Sequence, residues 1–358
     1  MEDSKKCLSS DKIQIMQEEE WRESDELFEH YRFTADKGQQ MLRIDKFLQT
    51  RIPNSSRTKI QAAAAAGNIL VNDKPVKQNY RVKPEDVVAV LLHYPPRETE
   101  ILPENIPLNI LYEDDDLLVV NKPAGMVVHP AYGNFTGTLV NALTYHLKDL
   151  PLFSKGEIRP GLVHRIDKNT SGILVVGKTE LALNRLSKQF YEKESDRRYI
   201  ALVWGDFKEN AGTIIGNIGR SLKNRKVMAV YEDGSQGKSA VTHYKVLERF
   251  GYVSLVECKL ETGRTHQIRV HFKHINHPLF NDSEYGGNVI LRGTSSSSYK
   301  QFVEHCFEIL PRQALHAKTL GFRHPSTGKW MEFDSELPSD MQETIERWRK
   351  LTRNKYEP

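Results

Sequence analysis

The sequence predicts an α+β protein: a mixed, mainly antiparallel sheet flanked by helices, preceded by a small unit built on a hairpin of two helices. Three observations lead there. Past residue 105, short apolar runs outnumber helical patterns and do not alternate strictly with them, which disfavours a wound parallel sheet. Between residues 41 and 92 two short amphipathic helices precede a hairpin. The 358 residues, 39% of them apolar, suffice for two cores.

Residues 1–38 are rich in Glu, Ser, Asp and Lys with no sustained apolar period, and read as an acidic leader, most of it disordered or weakly helical. From Met41, Ile44, Phe47, Leu48 and Ile52 share a helical face that ends at Pro53-Asn54. Ser55 is placed to cap a second helix carrying Arg57, Lys59 and five alanines, and Gly67 stands where a helix terminus wants a left-handed residue. Ile69 to Val71, a turn at Asn72-Asp73, Pro75-Val76 and the strand Val87 to Leu92 complete a unit over 39–93. Pro95-Pro96 opens a linker, 94–105. The second domain, 106–358, contains strand-like runs at Asp116 to Val120, Gly172 to Val176, Tyr199 to Trp204 and Tyr252 to Leu260. It has helical patterns around Leu183, Leu186 and Phe190 and from Ser339 to Leu351. The stretch Asn288 to Leu310 suggests no role.

Composition narrows the function. No apolar run approaches the roughly 18 residues needed to span a bilayer, and the N-terminus lacks the order of a secretory signal, so a cytoplasmic protein is expected. Three scattered cysteines, Cys7, Cys258 and Cys306, imply reduced thiols and no disulfide framework. The net charge of +4 is mild but uneven. Residues 1–40 hold eleven Asp/Glu against six Lys/Arg, and residues 41–92 hold four against nine. A compact basic segment beside an acidic one is consistent with a nucleic-acid module.

The stretch with most chemistry is Gly161-Leu162-Val163-His164-Arg165-Ile166-Asp167-Lys168-Asn169-Thr170-Ser171-Gly172. Positive charge on both sides favours the ionised form of Asp167. An isolated Asp in such a run more often orders a turn than reacts. Further segments change that weighting: Arg197-Arg198-Tyr199-Ile200-Ala201, then Thr262-Gly263-Arg264-Thr265-His266-Gln267-Ile268-Arg269, then Arg312-Gln313-Ala314-Leu315-His316-Ala317. In this order they resemble the motifs of the RluA-type pseudouridine synthases, closest to the D-type branch, and the likeness covers about residues 41–348. Residues 41–92 resemble the S4 RNA-binding domain. Ile166 stands where that family usually has Leu. Asn281 replaces a common Gly, Asn being the next best residue for a left-handed backbone.

The resemblance implies an enzyme that isomerises uridine to pseudouridine in large-subunit ribosomal RNA, in an assembled or nearly assembled subunit. It makes Asp167 the catalytic carboxylate, Arg269 its ion-pair partner, Tyr199 the stacking ring and Arg165 a wedge in the space of a flipped nucleotide. His164, Thr170, Arg264, Thr265 and Gln267 are expected at the substrate, and Arg43, Arg57 and Lys59 at RNA phosphates. Arg220, Lys223, Arg225 and Lys226 form a further basic stretch suited to the RNA backbone. Thr265 is placed to cap the helix that carries Arg269. The isomerisation exchanges no electrons or groups with a second molecule, so no cofactor and no metal is expected, and nothing requires more than a monomer.

Other readings fit less well. Gly172 to Thr179 satisfies the spacing of a phosphate-binding loop, but its four central residues, Ile173 to Val176, read as a strand. His266, His271, His274 and His277 lack the carboxylate or Cys companions of a metal site. A glycosidase needs paired carboxylates where this motif supplies one acid among bases. A non-catalytic RNA-binding assembly factor would not need Asp167, Tyr199 and Arg269 together.

Overall fold

The computed structural model describes residues 28–38, 40–52, 55–92, 101–130, 134–154, 161–222, 224 and 227–356. They divide into two compact units, with the boundary between Thr99 and Glu100. Most of the expected leader, residues 1–27, lies outside the described residues, as do Pro53-Asn54, the linker up to residue 100, and Lys223, Arg225 and Lys226.

The first unit holds β1 (Phe28–Thr34), β2 (Leu42–Arg43), α1 (Ile44–Gln49), α2 (Arg57–Ala65), β3 (Ile69–Val71), β4 (Lys74–Pro75), β5 (Arg81–Val82) and β6 (Val87–Leu92). Its sheet runs β1-β6-β3-β4, with β2 and β5 paired separately. Strand β1 corrects the expectation of disorder up to residue 38. It joins the sheet edge through backbone pairing with β6, yet most of its described side chains are exposed, so it carries no apolar alternation to read. Met41 does not begin a helix, because Leu42–Arg43 pairs with Arg81–Val82. From Ile44 the expected face forms: Ile44, Phe47 and Leu48 are fully buried against Ile60 and Ala64. Of the five alanines, Ala64 is buried in this core.

Capping falls one residue from the expected place. Ser56, not Ser55, accepts the backbone N–H of Lys59, while Ser55 donates its hydroxyl proton to the Ile52 carbonyl. Gly67 is left-handed, and Asn72 and Asp73 both have positive φ, the backbone that a tight two-residue hairpin requires. Between the helices, Asp45 is fully buried and receives hydrogen bonds from Arg43, Arg57 and Gln61. Burial alone would push this carboxyl up, but those bonds and charges outweigh it and hold it far below the usual carboxylate range.

The second unit comprises β7 (Ile110–Glu113), β8 (Leu117–Lys122), α3 (Leu139–His146), α4 (Pro151–Ser154), β9 (Ser171–Gly177), α5 (Glu180–Tyr191), β10 (Asp196–Trp204), β11 (Ala211–Arg220), β12 (Met228–Tyr231), β13 (Lys238–Arg249), β14 (Val253–Leu260), α6 (Gln267–His274), α7 (Ser297–Ile309), β15 (Leu315–Arg323), β16 (Trp330–Asp334) and α8 (Ser339–Tyr356). Ten strands form one sheet in the order β12-β11-β13-β14-β10-β15-β9-β8-β7, with β16 also on β15. Only β15 with β9 is parallel among these pairs, so the sheet is mixed and mainly antiparallel.

The apolar runs are continuous because the sheet is covered on both faces. Along β10, Tyr199, Ala201 and Val203 enter one core, while Ile200, Leu202 and Trp204 enter another with α7 and α8. Leu174 and Val176 of β9 join the first core, and Ile173 and Val175 pack with Leu186 of α5. The stretch 288–310, for which the sequence suggested no role, thus supplies core helix α7, through Tyr299, Val303 and Cys306 around Trp348. Gly172 to Gly177 lies within strand β9 and is fully buried, which removes the phosphate-loop reading of that segment.

Gly172 has no room for a side chain. Its φ of +123° is a backbone left to glycine, and a Cβ there would lie 2.6 Å from the Ala317 backbone nitrogen across the parallel pair. Gly172→Ala is expected to destabilise the second unit by about 3 kcal/mol or more. Urea unfolding measures this, and an unchanged midpoint would contradict it.

Candidate active site

The loop from Gly161 to β9 carries Asp167 at the mouth of the sheet, and its backbone is tied down residue by residue. The Thr170 N–H donates to the Asp167 carbonyl at 3.1 Å, closing a turn. Arg312, fixed by a two-pronged ion pair with Asp340, donates to the Asn169 carbonyl at 3.0 Å. The Lys168 carbonyl accepts from the Gly125 N–H and, at 3.1 Å, from the ammonium of Lys122. Lys122 is fully buried and also donates to the Pro123 and Met126 carbonyls. Burial pushes its pKa down to about 7, against the upward pull of Asp167 and with the repulsion of Arg312.

The side chain of Asp167 meets a different network. Its Oδ2 lies 3.3 Å from Nη1 of Arg269, the third residue of α6, and its Oδ1 is 3.8 Å from Nε2 of His266. Arg269 is 4% exposed and held from behind, at 2.7 and 2.8 Å by the fully buried carboxylate of Asp282 and at 2.5 Å by Glu284. Its guanidinium also lies over the Tyr285 ring. Burial opposes this charge, but the bonds to Asp282 and the three carboxylates together raise its pKa above the usual arginine value. The charges flanking Asp167 in sequence contribute no ion pair to it among the described residues: Arg165 is exposed, and Lys168 donates to Asn134. The partner of Asp167 comes from 102 residues away.

Asp167 opens onto a cavity of about 750 Å³. Tyr199 forms part of its wall, along with His164, Arg165, Arg197, Gly263, Arg264 and Thr265. Tyr199 is buried, and burial raises its phenol pKa above the ordinary value, with Asp167 reinforcing and Arg197 opposing the shift. His164 accepts the Val175 N–H through Nε2 and stacks on Phe190. Burial and the charge of Arg197 push its pKa down to about 3, leaving the ring neutral near pH 7. Arg264 lends its Nε–H to the Ser239 carbonyl.

Two expected substrate residues do not face the cavity. Thr170 is buried, closes the Asp167 turn and accepts from Gln313. Gln267 is buried with its amide fully engaged: its oxygen accepts from Thr262 and the Arg264 N–H, and its nitrogen donates to the Val241 carbonyl and Thr242. Nor does Thr265 cap α6. That position falls to His266, left-handed at φ 54°, which shares a hydrogen bond with Tyr285 and turns its other ring nitrogen toward Asp167. Asn281 adopts the left-handed backbone that its place in the motif suggested. The four histidines considered as metal ligands bond elsewhere, to Tyr285, Thr242, Glu232 and the Trp204 carbonyl. In the first unit, Arg43 and Arg57 are part-exposed around Asp45, and Lys59 is exposed on α2.

Comparison with known proteins meets this geometry. Residues 116–274 match the family model described as RNA pseudouridylate synthase, and residues 42–88 match the S4 domain. An uncharacterised RNA pseudouridine synthase of Chlorobaculum parvum is 50% identical over 319 residues, 88% of this chain and 97% of that protein. The chain belongs to the RluA-type RNA pseudouridine synthases. A relative from Zymomonas mobilis named ribosomal large subunit pseudouridine synthase D is 43% identical, covering 84% of this chain and 92% of its own. A solved human structure, RNA pseudouridylate synthase domain containing 4, shares the fold with a TM-score of 0.51 at 24% identity, covering 67% of this chain and 93% of that one. The enzyme therefore acts on RNA and carries an S4 domain. No helix among its described residues is long and apolar enough to cross a membrane.

Two predictions concern how this candidate site is built. Asp282→Ala leaves the Arg269 charge buried without its main partner and is expected to cost about 3–5 kcal/mol. Glu284→Ala, at a half-exposed carboxylate, is expected to cost under about 1 kcal/mol. Urea denaturation compares them, and equal losses would contradict the ranking. Lys122 has a lowered folded pKa, so between about pH 7 and its ordinary value the unfolded chain holds a proton that the folded chain has released. Stability from this group therefore rises with pH across that window. The wild type is expected to gain stability relative to Lys122→Met between pH 7 and pH 9.5; a constant difference between the two proteins would refute it.

Proposed function

We propose that this enzyme isomerises specific uridines of large-subunit (23S-type) ribosomal RNA, with Asp167 as the catalytic carboxylate, Arg269 as its ion-pair partner and Tyr199 as the ring against which the detached base stacks. The observation that carries the reading is the Asp167–Arg269 pair at the edge of a cavity walled by Tyr199. Pseudouridine formation breaks the N1–C1′ bond, turns the uracil, forms C5–C1′ and removes the C5 proton, while N1 ends with a proton. A carboxylate near C1′ can add to that carbon or take a neighbouring ribose proton, and either route needs a fixed counter-charge and a nonpolar surface for the loose base. Tyr199 offers the surface, and because burial keeps its phenol protonated, its oxygen can take the C5 proton only while handing its own proton on to N1 or solvent.

Arg165, exposed at the cavity wall, suits the role of a wedge filling the gap that a flipped nucleotide leaves in the RNA. Arg264 and Thr265 line the cavity and suit contact with the RNA strand, and Arg43, Arg57 and Lys59 of the S4 domain suit RNA phosphates. The choice of ribosomal RNA rests on likeness to the synthases named D for the large subunit. On this reading the enzyme works in the cytoplasm as a monomer, on an assembled or nearly assembled subunit.

Incubation with large-subunit RNA from cells lacking the enzyme, followed by carbodiimide mapping of pseudouridine, tests the reading. New pseudouridine is expected with the wild type, a loss of at least about a thousandfold in rate with Asp167→Ala, and RNA binding retained by the variant. Equal modification by the variant would remove Asp167 from the chemistry. Binding without any modification by the wild type would favour a non-catalytic assembly factor.

A further inference from the structure

Three arginines are buried among the described residues: Arg197, Arg269 and Arg312. Arg269 is met by Asp282, Asp167 and Glu284, and Arg312 by Asp340. Arg197 is 7% exposed and has no carboxylate within ion-pair distance, no hydrogen bond from its guanidinium among the described residues, and a buried Nε without a partner. Its surroundings are the Phe190 ring, 5.4 Å from the guanidinium carbon, the neutral imidazole of His164 and the backbone of Gly263. Glu261, the other acid along this wall, is already paired with His243 and Lys193. Gly263 leaves the cation its room, since a Cβ there would lie 2.9 Å from Nη1.

A buried unpaired cation is costly, and burial without a counter-ion is the least stable way to keep a guanidinium. The cost is removed if the counter-charge arrives with the ligand. Arg197 lines the same cavity as Asp167, and it shares a strand face with Tyr199 because the two are two residues apart on β10. Two residues along a strand span about 6.5 Å, which is the reach from a nucleobase, across its ribose, to its own phosphate. A guanidinium also offers parallel N–H donors matched to two phosphate oxygens.

We propose that Arg197 is a phosphate-binding residue that takes a phosphodiester oxygen pair of the target nucleotide itself, so that the uracil resting on Tyr199 is gripped through its own backbone. This rests on the reading of Tyr199 as the stacking wall, and not on which RNA is the substrate. It separates the task of Arg197 from that of Arg269: the first lines the cavity with no partner for its donors among the described residues, while the donors of the second are occupied.

The probes are uridine, uridine 5′-monophosphate and uridine 3′-monophosphate, titrated by calorimetry into the full chain at low salt. The wild type is expected to bind one of the monophosphates at least tenfold more tightly than uridine. Arg197→Gln and Arg197→Met are expected to bind that monophosphate and uridine equally, whereas Asp167→Asn keeps the preference. Thermal denaturation of the free Arg197→Met protein is expected to give an unchanged or higher Tm, because an unpaired buried charge has been removed. Equal affinity of the wild type for all three probes, or a preference that survives Arg197→Gln, would overturn the proposal. So would a uniform loss of affinity for uridine and its monophosphates, which would assign Arg197 to a uracil carbonyl, or a fall in Tm of several degrees, which would make it structural. If Tyr199→Ala abolishes uridine binding and Arg197→Gln leaves the phosphate preference intact, the reading of Tyr199 stands and the phosphate site alone fails.

Discussion

The structure of the catalytic unit turns on the burial of one guanidinium. Arg269 sits almost without solvent on the first turn of α6, where a lone cation would be strongly destabilising. Asp282 and Glu284 satisfy two sides of it and thereby fix its plane, and the side that remains is turned to Asp167. On the proposed reading, a carboxylate held in this way sees a charge that does not have to reorganise when chemistry begins. In a shielded site such preorganised charge is worth far more than the same pair in water.

The rest of the fold delivers the two halves of that pair. Asp167 hangs on the loop entering β9, and α6 follows β14, with β15 and β10 lying between those strands. At its end the loop runs into β9, which is buried along its whole length. Lys122, Gly125 and Arg312 then hold the carbonyls of Lys168 and Asn169, two backbone groups beside the carboxylate. The loop thus owes its shape to charges that never face the cavity, an arrangement that leaves the cavity wall itself open for a nucleotide.

Much of this was legible in the sequence, and the gaps have physical reasons. Continuous apolar runs such as Ile173 to Val176 disclosed buried strands, and the resemblance to the RluA-type motifs brought Asp167, Tyr199 and Arg269 forward as a set. Their meeting required long-range pairing that local pattern does not encode. Asp282 and Glu284 look like surface acids until α6 is folded against them, and Lys122 reads as a strand-end lysine until three carbonyls are found around it. Thr170 and Gln267 were polar residues inside motifs, which invites a substrate role, but the fold spends their hydrogen bonds on the turns that shape the site. Strand β1 escaped notice because an exposed edge strand needs only its backbone to pair. Helix α7 escaped because its Tyr, Val and Cys contacts find their partners on α8 and β10, distant in the chain.

On the proposed reading, the Asp167 carboxylate, presented by Arg269, is the group that meets the reacting uridine. A crystal structure of Asp167→Asn bound to an RNA fragment carrying a uridine that the wild-type enzyme modifies tests it most directly. That uridine is expected to be flipped into the cavity, its uracil stacked on Tyr199 and its C1′ in van der Waals contact with the residue 167 side chain. A uridine held in the cavity with another carboxylate nearer to C1′, or with residue 167 turned away toward the protein interior, would contradict it.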